Sequence, residues 1–335
     1  MDSSMIAATS FLFTPFSTLP RSLRRKIEPI AALNYKMQTP FELKHGQTRN
    51  FHKLPSGLNL EVIEQKSSVC NDMQLQNKRN QPLVFVHGSY HAAWCWAEHW
   101  LPFFSQHGFD CYALSLLGQG ESDSPSGSIP GTLETHASDV GDFIGKTLGT
   151  PPVLLGHSFG GLIVQYYLSR MGNDSYPNLS GAALICSVPP TGNTGIVWRY
   201  IFSKPITAYK VTKSLAAKAF QSDLSLLKET FFSDSMDDRT LMRYQKLMKE
   251  SSREAMFDLR KLNASLPVAS MAKNSIEIHV VGASGDMIVD KEALMETGRF
   301  YNVSPVCVDG VAHDLMLDFS WDMAAQTLLS WLTKI

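Results

Sequence analysis

The chain has 335 residues, of which 44% are hydrophobic and 18% charged, a composition typical of a globular protein with a full hydrophobic core. The formal net charge is -1 and the Lys and Arg residues are scattered, so the sequence gives no sign of the basic surface that binds nucleic acid. The five cysteines include no CxxC pair, which argues against a disulfide framework and against a zinc site.

The N-terminal end has a composition of its own. Its first 27 residues hold eight Ser or Thr, one acid, and a basic group formed by Arg21, Arg24, Arg25 and Lys26. This composition resembles an organelle transit peptide, and its hydroxyl content favours the chloroplast over the mitochondrion or cytoplasm. We expect a transit peptide over residues 1–31 and a linker or extended segment over 32–57; a disordered basic tail is the alternative for the first segment.

From about residue 58 the pattern is that of an α/β protein. Short apolar runs alternate with longer segments of helical period, which predicts a mostly parallel sheet flanked by helices. The expected strands are 58–64 (an edge strand), 82–86, 109–117, 151–156, 181–188, 276–281 and 306–308. The expected helices are 93–107, 132–148 with Thr132 as N-cap, 160–170 with Gly172 as C-cap, 291–300 and 321–332. No apolar run approaches the roughly 18 residues of a transmembrane helix.

The pattern changes between residues 190 and 267. This segment has no strand-like run, and apolar residues recur in it at helical spacing. We therefore predict a helical lid over 190–267, inserted between two halves of a core formed by 58–189 and 268–335. Its methionines either pack the lid helices or form adaptable walls of an apolar pocket.

The stretch Gly156-His157-Ser158-Phe159-Gly160 matches the Gly-x-Ser-x-Gly pattern. In that pattern a serine lies at a strained corner between a strand and a helix, with its hydroxyl clear of the backbone. The predicted strand before it and helix after it supply this context, so Ser158 is a candidate nucleophile rather than a turn serine. The Phe159 N–H, at the start of the helix, is a candidate oxyanion donor. The turn at Gly88 provides a second donor, the Ser89 N–H.

A serine nucleophile needs a base and a residue that orients the base. His313 and Asp286 follow the last two predicted strands, and loops at the carboxyl ends of parallel strands meet at one edge of the sheet. His313 is the candidate base and Asp286 the candidate orienting acid. Three other carboxylates compete with Asp286 for this role, namely Asp290, Asp309 and Asp314.

Three further histidines accompany the motifs. His87 and His157 are expected to brace their loops through hydrogen bonds, and His91 is a candidate pocket residue. None of the three is assigned a catalytic role.

With Ser158, Asp286 and His313 in this order, the sequence from about residue 58 onward resembles the α/β-hydrolase superfamily. The stretch HGSYHAAWCW (87–96) is similar to the HGxxHGAWxW stretch of the plant methylesterase and hydroxynitrile lyase group, and LLGQGESD (116–123) to a glycine-containing loop of the superfamily. The resemblance implies a Ser158–His313–Asp286 triad with Ser89 and Phe159 as oxyanion donors. Ala92 replaces a glycine of that group, which weakens the inference of a methylesterase substrate.

These features predict a serine hydrolase that cleaves a small hydrophobic carboxylic ester through an acyl-enzyme, without cofactor or metal. A hydroxynitrile-lyase-like reaction and a ligand receptor on the same scaffold are the alternatives. Epoxide hydrolase or dehalogenase activity is disfavoured, because those relatives need a carboxylate at position 158. No nucleic-acid partner and no transmembrane segment are expected, while peripheral membrane contact and the oligomeric state are left open.

Overall fold

A central sheet organises the chain in a computed structural model that describes residues 36–68, 80–125, 131–271 and 276–335. Its strands are β1 Gln47–Lys53, β2 Asn59–Gln65, β3 Leu83–Val86, β4 Cys111–Leu114, β5 Val153–His157, β6 Gly181–Ile185, β7 Glu277–Ala283 and β8 Val306–Val308. Their order is β1-β2-β4-β3-β5-β6-β7-β8, with β2 antiparallel to both neighbours and all other pairs parallel. The expected transit peptide, residues 1–31, lies outside the described residues.

The prediction of an edge strand at residues 58–64 is wrong in one respect. Strand β1 forms the edge, and β2 lies between β1 and β4. The sequence QTRNFHK of β1 is polar and mostly exposed, so it lacks the apolar alternation by which strands are recognised. It lies inside the segment 32–57, predicted only as a linker or extended chain.

The helices α1 to α4 belong to the first half of the sheet, and they are α1 Trp94–Ala97, α2 Trp100–Gln106, α3 Leu133–Thr147 and α4 Phe159–Arg170. The single helix expected over 93–107 is two helices, because the chain breaks at His99, whose φ of -132° is not helical. Pro102 then falls in the first turn of α2, where its missing N–H removes no intrahelical bond. Thr132 caps α3 as predicted. Helix α4 ends at Arg170, and its C-cap is Met171 rather than the predicted Gly172, which follows with a φ of +105°.

The segment between β6 and β7 is helical among its described residues. It contains α5 Thr194–Ser203, α6 Pro205–Leu215, a 3₁₀ turn Ala219–Gln221, α7 Leu224–Phe231, α8 Asp238–Ser251 and α9 Leu259–Ala264. The second half of the sheet is completed by α10 Lys291–Tyr301 and α11 Trp321–Leu332.

Two apolar clusters pack on opposite faces of the sheet. On β3, for example, Leu83 and Phe85 belong to the cluster that contains the buried tryptophans of α1 and α2, whereas Val84 and Val86 pack with α3 and α4. This follows from the alternation of side chains along a strand, since a parallel sheet covered by helices on both faces needs apolar residues at every position. None of the helices in the described part of the chain has both the length and the apolar character needed to cross a membrane.

Candidate active site

Ser158 lies at the corner between β5 and α4. Its φ of +54° and ψ of -120° are rare for a residue with a side chain, and such strain persists only where the surroundings impose it. Its N–H donates to Ile185 O at 3.0 Å, and its carbonyl oxygen accepts from the N–H groups of Gly161 and Val188, both at 3.1 Å. The neighbouring strand and the following helix therefore hold this corner on both sides.

Glycine is required on each side of Ser158 because the backbone comes too close for a side chain. A Cβ at Gly160 would lie 2.5 Å from Val86 O and closer still to His87 O, and one at Gly156 would lie 2.5 Å from Gly160 O. The obstructing atoms belong to the backbone of the sheet and of α4, which cannot rotate aside. The Gly-x-Ser-x-Gly pattern is thus explained by the packing of α4 against the end of β3.

His313 and Asp286 are hydrogen-bonded to each other. His313 Nδ1 lies 2.8 Å from Asp286 Oδ2, and the other carboxylate oxygen accepts from the backbone N–H groups of Ile288 at 2.7 Å and Val289 at 2.9 Å. Both side chains are almost fully buried. With Nδ1–H donating to the carboxylate, Nε2 is the unprotonated nitrogen and is free to accept a proton.

The charge on Asp286 also sets the basicity of His313. Burial alone would lower the pKa of the imidazole, but the charge of Asp286 and the hydrogen bond that it accepts from the ring outweigh burial and raise that pKa above 6.5. An imidazole with a raised pKa is a stronger base, which suits the removal of a hydroxyl proton.

A neighbouring histidine connects the serine corner to the His313 loop. His157, which precedes Ser158 in the chain, has Nε2 2.9 Å from the carbonyl oxygen of His313, and the two imidazole centroids are 4.7 Å apart. Burial lowers the pKa of His157 to about 3, so this ring is neutral and donates to the carbonyl through Nε2–H. The expectation that His157 braces its loop is confirmed.

The other three carboxylates considered as partners of His313 lie elsewhere. Asp290 caps α10 and pairs with Arg199, where Nε and Oδ2 are 2.8 Å apart. Asp309 is exposed, and Asp314 faces His91 rather than the His313 ring nitrogen that Asp286 occupies.

The loop after β3 passes directly over Ser158. A Cβ at Gly88 would lie 2.8 Å from the Cβ of Ser158, so a side chain there would collide with the serine. Tyr90 in the same loop has a φ of +67°, which bends the chain sharply. This places the backbone of Ser89 beside the serine corner.

His87 and His91 orient the peptide groups of this loop. His87 Nδ1 is 2.8 Å from Gly88 O, and His91 Nδ1 is 2.8 Å from Ser89 O. The Leu116 N–H donates to His87 Nε2 at 3.0 Å, which leaves Nδ1 as the protonated nitrogen of His87. Burial lowers the pKa of His87 to about 3, so the ring stays neutral. In a trans peptide the C=O and N–H point in opposite directions, so fixing Gly88 O also fixes the direction of the Ser89 N–H.

The second expected donor is the first N–H of a helix. Phe159 opens α4, and an N–H at that position has no acceptor within the helix. The helix dipole adds to its ability to stabilise negative charge.

A buried acid lies behind the site, at a position that the sequence offered only as a possible partner of His313. Asp314 is fully buried, with Oδ2 2.9 Å from His91 Nε2 and Oδ1 3.7 Å from His157 Nε2. Neither contact has the alignment of a hydrogen bond. Burial opposes ionisation of Asp314, but the neighbouring imidazoles, His91 foremost, lower its pKa. Asp314 therefore lies between the loop after β3 and the serine corner, a position that no local pattern around residue 314 predicts.

Helices between β6 and β7 cover the site. The Phe231 ring of α7 lies 6.4 Å from the ring of His313 and 6.3 Å from that of His91, and Tyr90 stacks edge-on against Phe220 at 4.9 Å. Ser158 is consequently only 5% exposed. The cover presents aromatic side chains to the loops that carry Tyr90 and His313.

Two groups of side chains in the described residues have the spacing of metal ligands, and both include His313. They are His157, His313 and Asp314, and Cys186, Asp286 and His313. In both groups Nδ1 of His313 is already engaged, because it bonds to Asp286. Burial also raises the pKa of the Cys186 thiol, which keeps it in the protonated form that binds metals poorly.

Comparison with known proteins gives a consistent result. The family model described as the alpha/beta hydrolase family matches residues 83–326. Two Arabidopsis thaliana relatives carry the names "Putative methylesterase 15, chloroplastic", 23% identical over 209 residues, and "Putative methylesterase 13, chloroplastic", 27% identical over 182 residues. These matches cover 59% and 48% of this chain, but only 46% and 40% of the relatives, so the chain spans less than half the length of either.

Among solved structures, the esterase EaEST from Exiguobacterium antarcticum aligns with a TM-score of 0.63 at 18% identity. The match covers 85% of this chain and 100% of the other. At that identity the likeness establishes the fold.

Proposed function

The chain belongs to the alpha/beta hydrolase family, and on that premise we propose that it is a serine esterase, which hydrolyses carboxylic esters through a Ser158–His313–Asp286 triad. The observation that carries the proposal is the buried hydrogen bond from His313 to Asp286, in a loop that His157 ties to the strained corner at Ser158. No single structural role would require a base, its orienting acid and a positive-φ serine together at one edge of the sheet.

In the proposed mechanism the Ser158 hydroxyl attacks the ester carbonyl while His313 Nε2 accepts its proton. Asp286 holds the ring with Nδ1 protonated and stabilises the imidazolium that forms. The N–H groups of Phe159 and Ser89 donate to the developing oxyanion. The imidazolium then gives its proton to the departing alcohol, and water, activated by the same ring, releases the acid from the acyl-enzyme.

For the substrate we propose a small hydrophobic ester. Two aromatic side chains from the helical segment lie beside the proposed site, Phe231 against His313 and Phe220 against Tyr90, and an apolar acyl or alcohol group would pack on this side of the site. The methylesterase names of the relatives are compatible with an ester of this size. In this scheme the helical segment 190–267 is the lid, and no metal or cofactor takes part.

We also propose a chloroplast location. The support is the composition of residues 1–31, which lie outside the described residues, and the word "chloroplastic" in the names of both relatives.

The decisive experiment measures hydrolysis of p-nitrophenyl esters of increasing chain length by Ser158→Ala. We expect loss of the initial burst of p-nitrophenol, of steady turnover and of labelling by a fluorophosphonate. Ser180→Ala is the matched control, because the buried Ser180 hydroxyl has no hydrogen-bond partner among the described residues. Full turnover by Ser158→Ala would refute the proposal.

The same measurement separates the alternatives raised by the sequence. A lyase would react with the fluorophosphonate but give no acyl-enzyme burst, and a receptor would stop after a single turnover. Short-chain preference would support a small pocket under the aromatic cover.

A further inference from the structure

The outer face of α5 and α6 is apolar and exposed to solvent. Its most exposed side chains are Phe202 at 80%, Ile206 at 74% and Tyr209 at 68%. Other partly exposed apolar residues on the same two helices are Val197, Trp198 and Ile201. The Trp198 and Phe202 rings stack on each other at 5.6 Å rather than on the core. Large apolar side chains concentrated in this way on the exposed side of two consecutive helices mark a place where the protein contacts something other than water.

The inner face of the same two helices is already packed. Ile196 and Tyr200 of α5 form a small cluster with Val289 and Ala293, separate from the two main clusters of the core. Arg199 reinforces this attachment by its ion pair with Asp290. These two helices, the α5–α6 hairpin, are therefore attached to the protein by one face. The exposed face is not needed to hold the hairpin in place.

The charge of this hairpin is one-sided. From residue 191 to residue 222 the sequence contains five basic residues and no acidic residue; the five are Arg199, Lys204, Lys210, Lys213 and Lys218. Arg199 and Lys210 pair with carboxylates of other elements. For Lys204, Lys213 and Lys218 the described part of the chain offers no ion pair, and all three are exposed. The overall charge of the protein is -1, so the concentration of positive charge here is local.

We propose that the α5–α6 hairpin docks the protein on an anionic lipid surface, with Phe202 and Ile206 inserted among the lipids and the lysines contacting the headgroups. An apolar stripe bordered by lysines is the pattern that binds such an interface. A second copy of the chain is a poorer occupant, because a symmetric contact would bring two basic faces together. The N-terminal segment is poorly matched as well, since Arg21, Arg24, Arg25 and Lys26 give it the same sign of charge.

The docking hairpin is connected to the candidate active site. Tyr90, in the loop over Ser158, donates its hydroxyl to Leu215 O at the end of α6, at 2.7 Å. If the esterase proposal holds, docking would bring the site to a surface where hydrophobic esters are concentrated. The docking itself does not depend on that proposal, because it is measured as binding without turnover.

The test is co-sedimentation of the full chain with phosphatidylcholine vesicles, prepared with and without phosphatidylglycerol. We expect binding to the anionic vesicles and much weaker binding to the neutral ones. Added salt should release the protein, since exposed charges are screened over about 10 Å at 0.1 M.

Two variants divide the apolar and basic contributions. Phe202→Ser with Ile206→Ser should weaken binding by at least about tenfold, as expected when two large apolar side chains lose their burial. Lys204→Glu with Lys213→Glu should weaken it by roughly fivefold or more for each lysine. Met242→Ser with Lys249→Glu, on exposed positions of α8, is the matched control and should bind like the wild type. Because all the substituted residues of the hairpin are exposed, thermal unfolding should stay close to that of the wild type.

Three outcomes would overturn the proposal. The first is no binding to anionic vesicles, and the second is equal binding by the wild type and both hairpin variants. The third is a dimer in light scattering that Phe202→Ser dissociates, together with no vesicle binding, which would assign the face to a second copy. If the wild-type protein binds the anionic vesicles but hydrolyses no ester, that result counts against the proposed function alone.

Discussion

Replacing Asp286 by Asn tests how the buried acid controls His313. The side chain keeps its shape, and its Oδ1 can still accept from the backbone N–H groups of Ile288 and Val289, at 2.7 and 2.9 Å in the wild type. The amide nitrogen then faces His313 Nδ1 across the 2.8 Å contact. Because both groups cannot donate, the imidazole must carry its proton on Nε2, the nitrogen that should act as the base.

The expected effect on catalysis is large. In a Ser-His-Asp protease the same exchange of acid for amide lowers kcat by about 10⁴, because the wrong tautomer cannot take the serine proton. That factor corresponds to about 5 kcal/mol of transition-state stabilisation. The fold should survive, because only one hydrogen bond changes its donor.

The pH profile provides a second readout. In the wild type the raised pKa of His313 places the acid limb of kcat/KM above pH 6.5, since a protonated ring cannot accept the serine proton. Without the charge of Asp286, burial is the strongest remaining influence and lowers the pKa of His313. The acid limb of the residual activity should therefore move to lower pH.

The assay is steady-state hydrolysis of a p-nitrophenyl ester across pH, with Asp290→Asn as the control. Asp290 is four residues away and caps α10, a task that Asn also performs, so the control should retain activity while losing the ion pair with Arg199. If Asp286→Asn stays within about tenfold of wild-type kcat, or its acid limb moves to higher pH, the assignment of Asp286 is wrong.

Three further changes have effects that follow from the packing and the titration of buried groups. Gly160→Ala would force a Cβ into backbone carbonyls of the sheet. In thermal unfolding it should lower the free energy of unfolding by several kcal/mol, about the cost of overpacking or more. Gly149→Ala is the control and should be tolerated, because nothing lies within 4 Å of a Cβ there. His87→Leu leaves the buried Leu116 N–H and the buried Gly88 C=O without partners, at a cost of about 1 to 3 kcal/mol each. It should also lower kcat more than it changes KM. Unchanged kcat would show that His87 does not position the Ser89 N–H. Asp139→Asn should stabilise the protein at high pH, because burial and the charge of a neighbouring acid raise the pKa of Asp139 from 3.8 to about 7. The folded state thus disfavours the charged form of Asp139, and this penalty grows between pH 3.8 and about 7. In urea unfolding, Asp139→Asn should gain about 2 to 4 kcal/mol in the free energy of unfolding near pH 8 and almost nothing near pH 4. An equal gain at both pH values would contradict this.

Most of the regular elements could be predicted from the sequence, because their cause is local. Strand β8 and helix α11 have the predicted bounds, and the capping box at Thr132 starts α3 where the sequence predicts its N-cap. Buried strands of a parallel sheet are continuous apolar runs, which stand out in any sequence. Strand β1 could not be found in this way, since most of its side chains are polar and it is held by pairing with β2 and by distant contacts such as that of His52 with Asp142.

The serine corner could also be predicted from local sequence. Gly156, Ser158 and Gly160 lie within five residues, and the steric demand of a helix packed on the end of a strand fixes which of them must lack a side chain. For that reason the short pattern alone identifies the corner.

The rest of the candidate site joins residues that are far apart in the chain, and the tertiary structure decides which of them meet. Four carboxylates were candidates for the partner of His313 in the sequence, with Asp286 preferred; strand order and loop direction bring Asp286 to His313, place Asp290 against Arg199 and bury Asp314 beside His91. The physical reason is that a hydrogen bond or ion pair depends on distances of about 3 Å, which the sheet sets through its strand order. Local periodicity determines what each segment becomes, while long-range packing decides which charged and polar groups meet.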